Sequence, residues 1–193
     1  MAPAGSPEDI DVTRWALAAG QGDRAAATAF IAATQHQVHR FLAHLCDAGE
    51  IEDLAQETYL RALRSLPGFA GRSSARTWLL AIARRVAADH VRAVVVRPRV
   101  AGLADWQSAA EAAVAGDGPQ VEDGVVLRQL LDSLADDRRL AFVATQVLGL
   151  SYAEAAAVCD CPVGTIRSRV ARAREDLIEL MRQPDGGRRQ ATS

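Results

Sequence analysis

The sequence predicts an all-α protein, in which two small helical domains are joined by an acidic, flexible linker. Hydrophobic residues make up 49% of the 193 residues and aromatic residues only 5%, which favours helices over strands. Apolar residues recur at helical spacing on both sides of the segment Val100–Val126. That segment contains five acidic residues and no arginine, a local charge of −5, and its Ala- and Gly-rich composition is typical of a linker.

Changes of composition set the domain boundaries. The terminal stretches are rich in Pro, Gly and polar residues and lack helical periodicity. The predicted units are a disordered tip at 1–8, a first domain at 9–99, the linker at 100–120, a second domain at 121–182 and a disordered tail at 183–193.

Four helices are predicted in the first domain, with approximate bounds Asp9–Gly20, Asp23–Leu45, Ile51–Leu66 and Ala75–Val96. Asp23 is suited to cap the second helix, and Pro98 stops the fourth. The third helix has an acidic arc, made of Asp53, Gln56, Glu57 and Leu60. This arc suits a protein-binding surface, although a solvated helix flank has the same pattern.

The fourth helix separates an apolar side from a basic side. Leu79, Ile82, Ala83, Val86 and His90 share the apolar side, so we expect them in the core. The other side holds Thr77, Trp78, Arg84, Arg85 and Arg92. Between Arg72 and Arg99 there are seven arginines and one aspartate, a local charge of +6. A tryptophan among arginines offers a stacking plane for an unpaired base; the alternative is that Trp78 packs under the preceding loop.

In the second domain, the segment Gly149–Glu175 predicts a helix-turn-helix, preceded by helices at about 125–134 and 136–148. Ser151 and Glu154 form a capping box, and Pro162 suits the first turn of the second helix. One side of that helix is apolar, with Ile166, Val170, Ala173 and Leu177. The opposite side and its flanks hold Thr165, Arg167, Ser168, Arg169 and Arg172, which suit a DNA major groove. An ordinary surface helix with solvated arginines is the alternative.

Composition argues against several other classes. The sequence contains no apolar run of membrane-spanning length and no signal peptide, so we expect a cytoplasmic protein without membrane contact. The three cysteines do not form a disulfide framework, and Cys159 and Cys161 lack a second ligand pair for zinc. We therefore expect no metal and no cofactor. Asp89 and His90 are adjacent on a helix and point about 100° apart, and no other catalytic motif is present, so an enzyme is not expected.

Three segments resemble signatures of one family: Asp53–Leu63, Ser73–Arg92 and Gly149–Glu175. Their sequences, order and spacing are similar to those of bacterial RNA polymerase sigma factors of the extracytoplasmic-function (group IV, sigma-70) type, and within it to the actinobacterial SigC-like members. The resemblance implies a protein that binds core RNA polymerase, recognises −35 and −10 promoter elements and initiates transcription of a specific regulon.

The family resemblance also implies a role for each surface. The first domain, as region 2, would bind the β′ coiled coil through Asp53, Gln56, Glu57 and Leu60. It would open and read the −10 element with Arg72, Ser73, Ser74, Thr77, Trp78, Arg84, Arg85 and Arg92. The second domain, as region 4, would lie on the β flap and read the −35 element through Thr165, Arg167, Ser168, Arg169 and Arg172. In this family an anti-sigma factor is an optional further partner.

The main alternative is a stand-alone regulator of the LuxR type, which has a similar C-terminal helix-turn-helix domain. Such a regulator would carry a ligand or receiver domain, and a receiver requires alternating strands and helices. The first domain here is predicted to be all-helical. A regulator binds its promoter alone, whereas a sigma factor requires core polymerase.

The acidic linker generates the first testable prediction. Its charge of −5 lies between two basic segments, Arg72–Arg99 with a charge of +6 and Cys161–Arg174 with a charge of +4. Opposite charges attract over about 8 Å at physiological salt. We expect the linker to fold back and make the free protein compact. Replacing Asp105, Glu111, Asp117, Glu122 and Asp123 by Asn or Gln should increase the radius by scattering at low salt and tighten DNA binding. If neither quantity changes, the linker is only a spacer.

Overall fold

A computed structural model describes residues 7–96 and 128–182. All regular elements in these two ranges are helical, which confirms the predicted all-α class. The first range contains α1 (Pro7–Gly20), α2 (Arg24–Ala43), α3 (Ile51–Ser65) and α4 (Ala75–Val96). The predicted linker and tail fall outside the described residues, as does most of the predicted tip.

Local chemistry explains how α2 begins and ends. The Asp23 side chain accepts a hydrogen bond from the Ala26 N–H at 3.0 Å, which confirms the predicted cap. The helix ends at Ala43 rather than Leu45, because its last turn tightens. The N–H groups of His44 and Leu45 each bond to a carbonyl three residues back, at 3.3 and 2.9 Å, which is a 3₁₀ pattern.

The core of the first domain lies between α2 and α4. Phe30, Val38, Phe41 and Leu42 of α2 are fully buried, at helical spacing along one face. Leu79, Ile82, Ala83 and Val86 of α4 are also buried, as predicted. His90 is different. It is partly exposed, and its Nε2 lies 2.8 Å from Glu50 Oε1, so its prediction as a core histidine is wrong.

The second range contains four helices. Residues 128–132 form α5, and α6 (Asp136–Phe142) leads into a π-helical turn at Val143–Val147. Two further helices follow, α7 (Tyr152–Cys159) and α8 (Val163–Arg182). The helix predicted at 136–148 is thus not uniform. The Thr145 hydroxyl donates to the Ala141 carbonyl at 2.8 Å, and such competition for a helix carbonyl distorts the local turn.

The two domains lie against each other. Helix α7 packs on α4, and one hydrophobic core includes residues of both domains. Arg128 Nη2 donates to the Cys46 carbonyl across the interface at 2.8 Å. The contact between the domains is direct, between helices. The acidic linker, which the sequence predicts to fold back on the basic segments, lies outside the described residues, so that prediction stays untested.

Gly20 lets α1 approach the turn after α3, and this close approach can be tested. A Cβ at Gly20 would lie 2.6 Å from the Leu66 carbonyl oxygen, whereas one at Gly49 would meet nothing within 4 Å. We expect Gly20→Ala to lower the free energy of unfolding by about 1–3 kcal/mol. Gly49→Ala is the control, and its free energy of unfolding should stay within about 0.5 kcal/mol of the wild-type value. Urea denaturation measures both, and equal stabilities for the two variants would contradict the packing described here.

Candidate promoter and polymerase surfaces

Helices α7 and α8 form the predicted helix-turn-helix. The Ser151 hydroxyl and the Glu154 side chain cap the start of α7 reciprocally, which confirms the capping box. Asp160 ends α7 in the left-handed conformation, with φ of 54°, and this reverses the chain. The Pro162 carbonyl then accepts from Thr165 N–H at 2.9 Å, so Pro162 lies just before α8. The predicted core side of α8 is buried: Ile166, Val170, Ala173 and Leu177.

The opposite side of α8 faces solvent. Arg167, Ser168 and Arg172 are exposed, and Thr165 is half-exposed. Neither Arg167 nor Arg172 forms a hydrogen bond or an ion pair with any residue in the described ranges. Both guanidinium groups are therefore available to an external partner.

Arg169 does not belong to this exposed set. Its side chain is only 26% exposed, and its Nε lies 3.0 Å from Asp137 Oδ2 at the start of α6. Its Nη1 also lies 3.6 Å from Cys161 Sγ. The prediction of Arg169 as a DNA contact thus fails for this conformation, because the guanidinium ties α8 to α6 and to the turn.

The basic side of α4 is only partly as predicted. Arg72, Ser73, Arg85 and Arg92 are exposed, and Ser74 and Arg84 are half-exposed. Thr77, predicted on the solvent side, is only 3% exposed. Its hydroxyl lies 2.8 Å from that of Ser74, and Ser74 also caps α4 by accepting from Thr77 N–H at 3.1 Å.

Thr77 lines a cleft between the two domains. The cleft has a volume of about 540 Å³, and its walls come from α1, the loop 71–74 and α7. Thr77 and the α7 residues Ala153, Glu154 and Ala157 all line it. Part of the predicted −10 surface therefore lies in a cleft between the domains.

Trp78 packs on the preceding loop. Its ring centroid lies 4.9 Å from that of Phe69, with the planes tilted by 39°. The side chain is half-buried against the core. The alternative considered from the sequence, packing under the loop, therefore describes Trp78 better than a free stacking plane does.

The acidic side of α3 is accessible. Asp53 and Gln56 are exposed, and Leu60 is 43% exposed. Glu57 is half-exposed because it accepts from Arg61 Nε at 2.7 Å. An exposed leucine beside carboxylates offers both apolar and charged contact to a protein partner.

Two comparisons of sequence agree with this arrangement. The chain matches the family descriptions "Sigma-70 region 2" at residues 30–94 and "Sigma-70, region 4" at residues 125–177. It is 52% identical over 177 residues to "ECF RNA polymerase sigma factor SigC" of Mycobacterium tuberculosis, covering 91% of this chain and 94% of that protein. It is 33% identical over 166 residues to "ECF RNA polymerase sigma-E factor" of Escherichia coli, and the match covers 81% of this chain and 87% of that protein.

The chain belongs to the extracytoplasmic-function RNA polymerase sigma factors. It is thus a transcription initiation factor that binds core RNA polymerase and promoter DNA, as the resemblance implied. The described residues include no helix long and apolar enough to cross a membrane.

Solved structures show the same fold for this sigma factor. CnrH in complex with the cytosolic domain of CnrY is similar, with a TM-score of 0.69, 23% identity and coverage of 89% of this chain and 97% of that one. Sigma factor RpoE of Bartonella quintana, in complex with the anti-sigma factor NepR, gives a TM-score of 0.61 at 26% identity, with coverage of 78% and 93%.

The cysteines of the sigma factor are unpaired thiols, and two of them, Cys46 and Cys159, are buried. All three are free. Burial raises the pKa of Cys159 to about 11, and Cys161 adds to the rise while Arg84 and Arg169 oppose it. Burial likewise raises the pKa of Cys46 to about 11. Within residues 7–96 and 128–182, no group of three or more His, Cys, Asp and Glu residues is placed to hold a metal ion.

Sequence reasoning missed an ion-pair network between α3 and α4. Arg61 of α3 donates to Asp89 of α4 at 2.7 Å, and Asp89 also accepts from Arg92 at 2.6 Å. Hydrogen bonds from Arg61 and then Arg92 lower the pKa of Asp89, so its carboxylate stays charged. Asp89 is the one acidic residue in the basic segment 72–99. Its position among arginines was the signal from which this ion-pair network could have been predicted.

The contact between Trp78 and Phe69 determines what a substitution at Trp78 should do. Trp78→Ala removes a half-buried ring, so we expect a loss of about 1–3 kcal/mol in the free energy of unfolding. Transcription should then fall equally on duplex promoter and on a template with a pre-opened −10 bubble. Parallel measurements of thermal unfolding and run-off transcription test this. Unchanged stability together with rescue by the bubble would favour base stacking instead.

Proposed function

We propose that this sigma factor uses three separate surfaces, one for each contact needed at a promoter. The −35 element is read by the exposed side of α8, through Arg167, Ser168 and Arg172, with Thr165 at its edge. The observation that carries the assignment is that Arg167 and Arg172 are exposed and unpaired within the described residues. Arginine donors of this kind recognise guanine edges and phosphates in a major groove.

The −10 surface is proposed on α4 and the loop before it. Arg72, Ser73 and Ser74 form the loop that meets the opened strand, and Arg84, Arg85 and Arg92 bind its phosphates. Local charge supports this, since arginines there outnumber acids seven to one. Thr77 and Trp78 support the shape of this surface from behind in the closed conformation.

Core polymerase is proposed to bind the acidic side of α3, with the β′ coiled coil against Asp53, Gln56, Glu57 and Leu60. The second domain is proposed to lie on the β flap. Because Thr77 is buried and lines the cleft between the domains, the domains must separate before the whole −10 surface meets DNA. The exposed side of α3 needs no such separation, so polymerase docks first and promoter opening follows.

The domain bounds, the cellular location and a further protein partner are also proposed. We assign region 2 to residues 9–99, the linker to 100–120 and region 4 to 121–182, and we place the protein in the cytoplasm, where polymerase and promoter meet. The similar RpoE structure is a complex with the anti-sigma factor NepR, so an anti-sigma factor is a candidate partner of this chain too.

A substitution at Arg172 tests the −35 assignment. Arg172→Ala should cost about 1–3 kcal/mol of promoter discrimination, because it removes a donor to base edges or phosphates. Run-off transcription with core enzyme, on promoters with intact and scrambled −35 elements, measures this loss. Arg174→Ala is the control, since Arg174 Nη2 already donates to Gln146 Oε1 at 2.8 Å, whereas Arg172 has no partner among the described residues.

Three outcomes of this experiment are distinct. A loss of promoter discrimination in Arg172→Ala but not in Arg174→Ala supports the assignment. Equal transcription by Arg172→Ala and the wild type from a −35-dependent promoter contradicts it. Specific promoter binding by the wild-type protein without core polymerase would instead indicate a stand-alone regulator of the LuxR type.

A further inference from the structure

Four charged side chains form a continuous chain of ion pairs between α3 and α4. Arg61 Nε donates to Glu57 Oε1 at 2.7 Å, and Arg61 Nη1 donates to Asp89 Oδ2 at 2.7 Å. Arg92 Nη2 donates to Asp89 Oδ1 at 2.6 Å. We call these four residues, Glu57, Arg61, Asp89 and Arg92, the relay.

The two ends of the relay lie on different functional surfaces. Glu57 belongs to the acidic side of α3, to which we assign core polymerase. Arg92, 75% exposed, belongs to the basic side of α4, to which we assign the −10 strand. Arg61 and Asp89, between them, were not part of either predicted site.

We propose that the relay couples polymerase binding at Glu57 to the release of Arg92 for the DNA backbone. The proposal rests on the proposed function, because it requires both surfaces to have their assigned partners. Arg61 and Asp89 are positioning residues in this scheme, and Arg92 is the group that reaches phosphate.

The geometry supplies the mechanism. Arg61 divides its guanidinium between two carboxylates, and Asp89 divides its two oxygens between two arginines. A basic side chain of the polymerase that bonds to Glu57 competes with Arg61 for that carboxylate. Once released from Glu57, Arg61 can bond both oxygens of Asp89, as arginine prefers to do with a carboxylate. Arg92 then loses its partner and is free to bind phosphate.

The size of the coupling is limited by exposure. The relay side chains are all at least 41% exposed, and ion pairs between exposed groups are weak and screened by salt. We therefore expect a change of about two- to fivefold in affinity at low ionic strength. Because linkage is reciprocal, DNA bound at Arg92 should tighten polymerase binding by the same factor.

The test uses the full-length chain and a fluorescent single-stranded oligonucleotide. The oligonucleotide carries the −10 element of a promoter that the wild-type holoenzyme transcribes. Glu57→Gln imitates the polymerase-bound state, because it weakens the hold on Arg61. We expect this variant, without polymerase, to bind the oligonucleotide about two- to fivefold more tightly than the wild type at low salt.

A matched control separates the relay from simple loss of negative charge. Glu52→Gln makes the same chemical change on the same helix, but Glu52 bonds to His39, at 3.2 Å, and not to the relay. Circular dichroism confirms that both variants keep their helices. The relay predicts a clearly larger gain in affinity for the oligonucleotide from Glu57→Gln than from Glu52→Gln. Equal gains in affinity for the two variants overturn the proposal.

A double-mutant cycle with Arg92→Gln decides whether the gain passes through Arg92. In the Arg92→Gln background, Glu57→Gln should raise the affinity for the oligonucleotide no more than Glu52→Gln does. If Glu57→Gln still raises that affinity by about two- to fivefold in this background, the proposal is overturned. Failure of the wild-type protein to direct core polymerase to any promoter would contradict the proposed function instead, so the two failures are distinguishable.

Discussion

Burial of one side of α4 is the constraint on which the rest of the structure depends. Leu79, Ile82, Ala83 and Val86 are removed from water, and α4 contacts α1, α2, α3 and α7. Burial of apolar surface contributes about 25 cal/mol per Å², so rotation of α4 about its axis would be strongly unfavourable. That fixed rotation decides which arginines of α4 reach solvent.

The same helix also joins the two domains. Since α7 packs on α4, the surface proposed for the −10 strand is also part of an interface between the domains. The apolar first helix of the helix-turn-helix is suited to this contact, because alanines allow close approach and leave no polar group unpaired. Helix α8 keeps Arg167 and Arg172 in solvent. In this conformation Thr77 of the proposed −10 surface is buried, while Arg167 and Arg172 of the proposed −35 surface are exposed.

Several arginines form ion pairs that connect helices, whereas others have no partner among the described residues. Arg169, Arg138 and Arg139 bond to Asp137, Asp176 and Asp132, and the first two pairs fasten α8 to α6. Arg76 pairs with Asp9 across α1 and α4 at 3.1 Å. These arginines serve the fold. Arg167, Arg172 and Arg85 have no such partner among the described residues, which is why we assign them to DNA.

The sequence by itself determined the helical class, the helix-turn-helix and the aliphatic core positions of α4 and α8. These features follow from local patterns: the capping box at Ser151, the spacing of Ile166, Val170 and Ala173, and the cap at Asp23. Each depends on residues within a few turns of one another, and the structure confirms them. The family also followed from the sequence, because its signatures are contiguous segments.

Only the tertiary structure decided which charged and aromatic residues remain free. Arg169 was predicted on the DNA side because a helical wheel treats every polar flank as solvent, and Asp137 lies 32 positions earlier in the chain. Thr77 was expected in solvent, but it is 3% exposed and lines a cleft to which α1 and α7 also contribute. Whether a side chain faces water or a partner depends on residues distant in sequence, and neither local periodicity nor net charge contains that information.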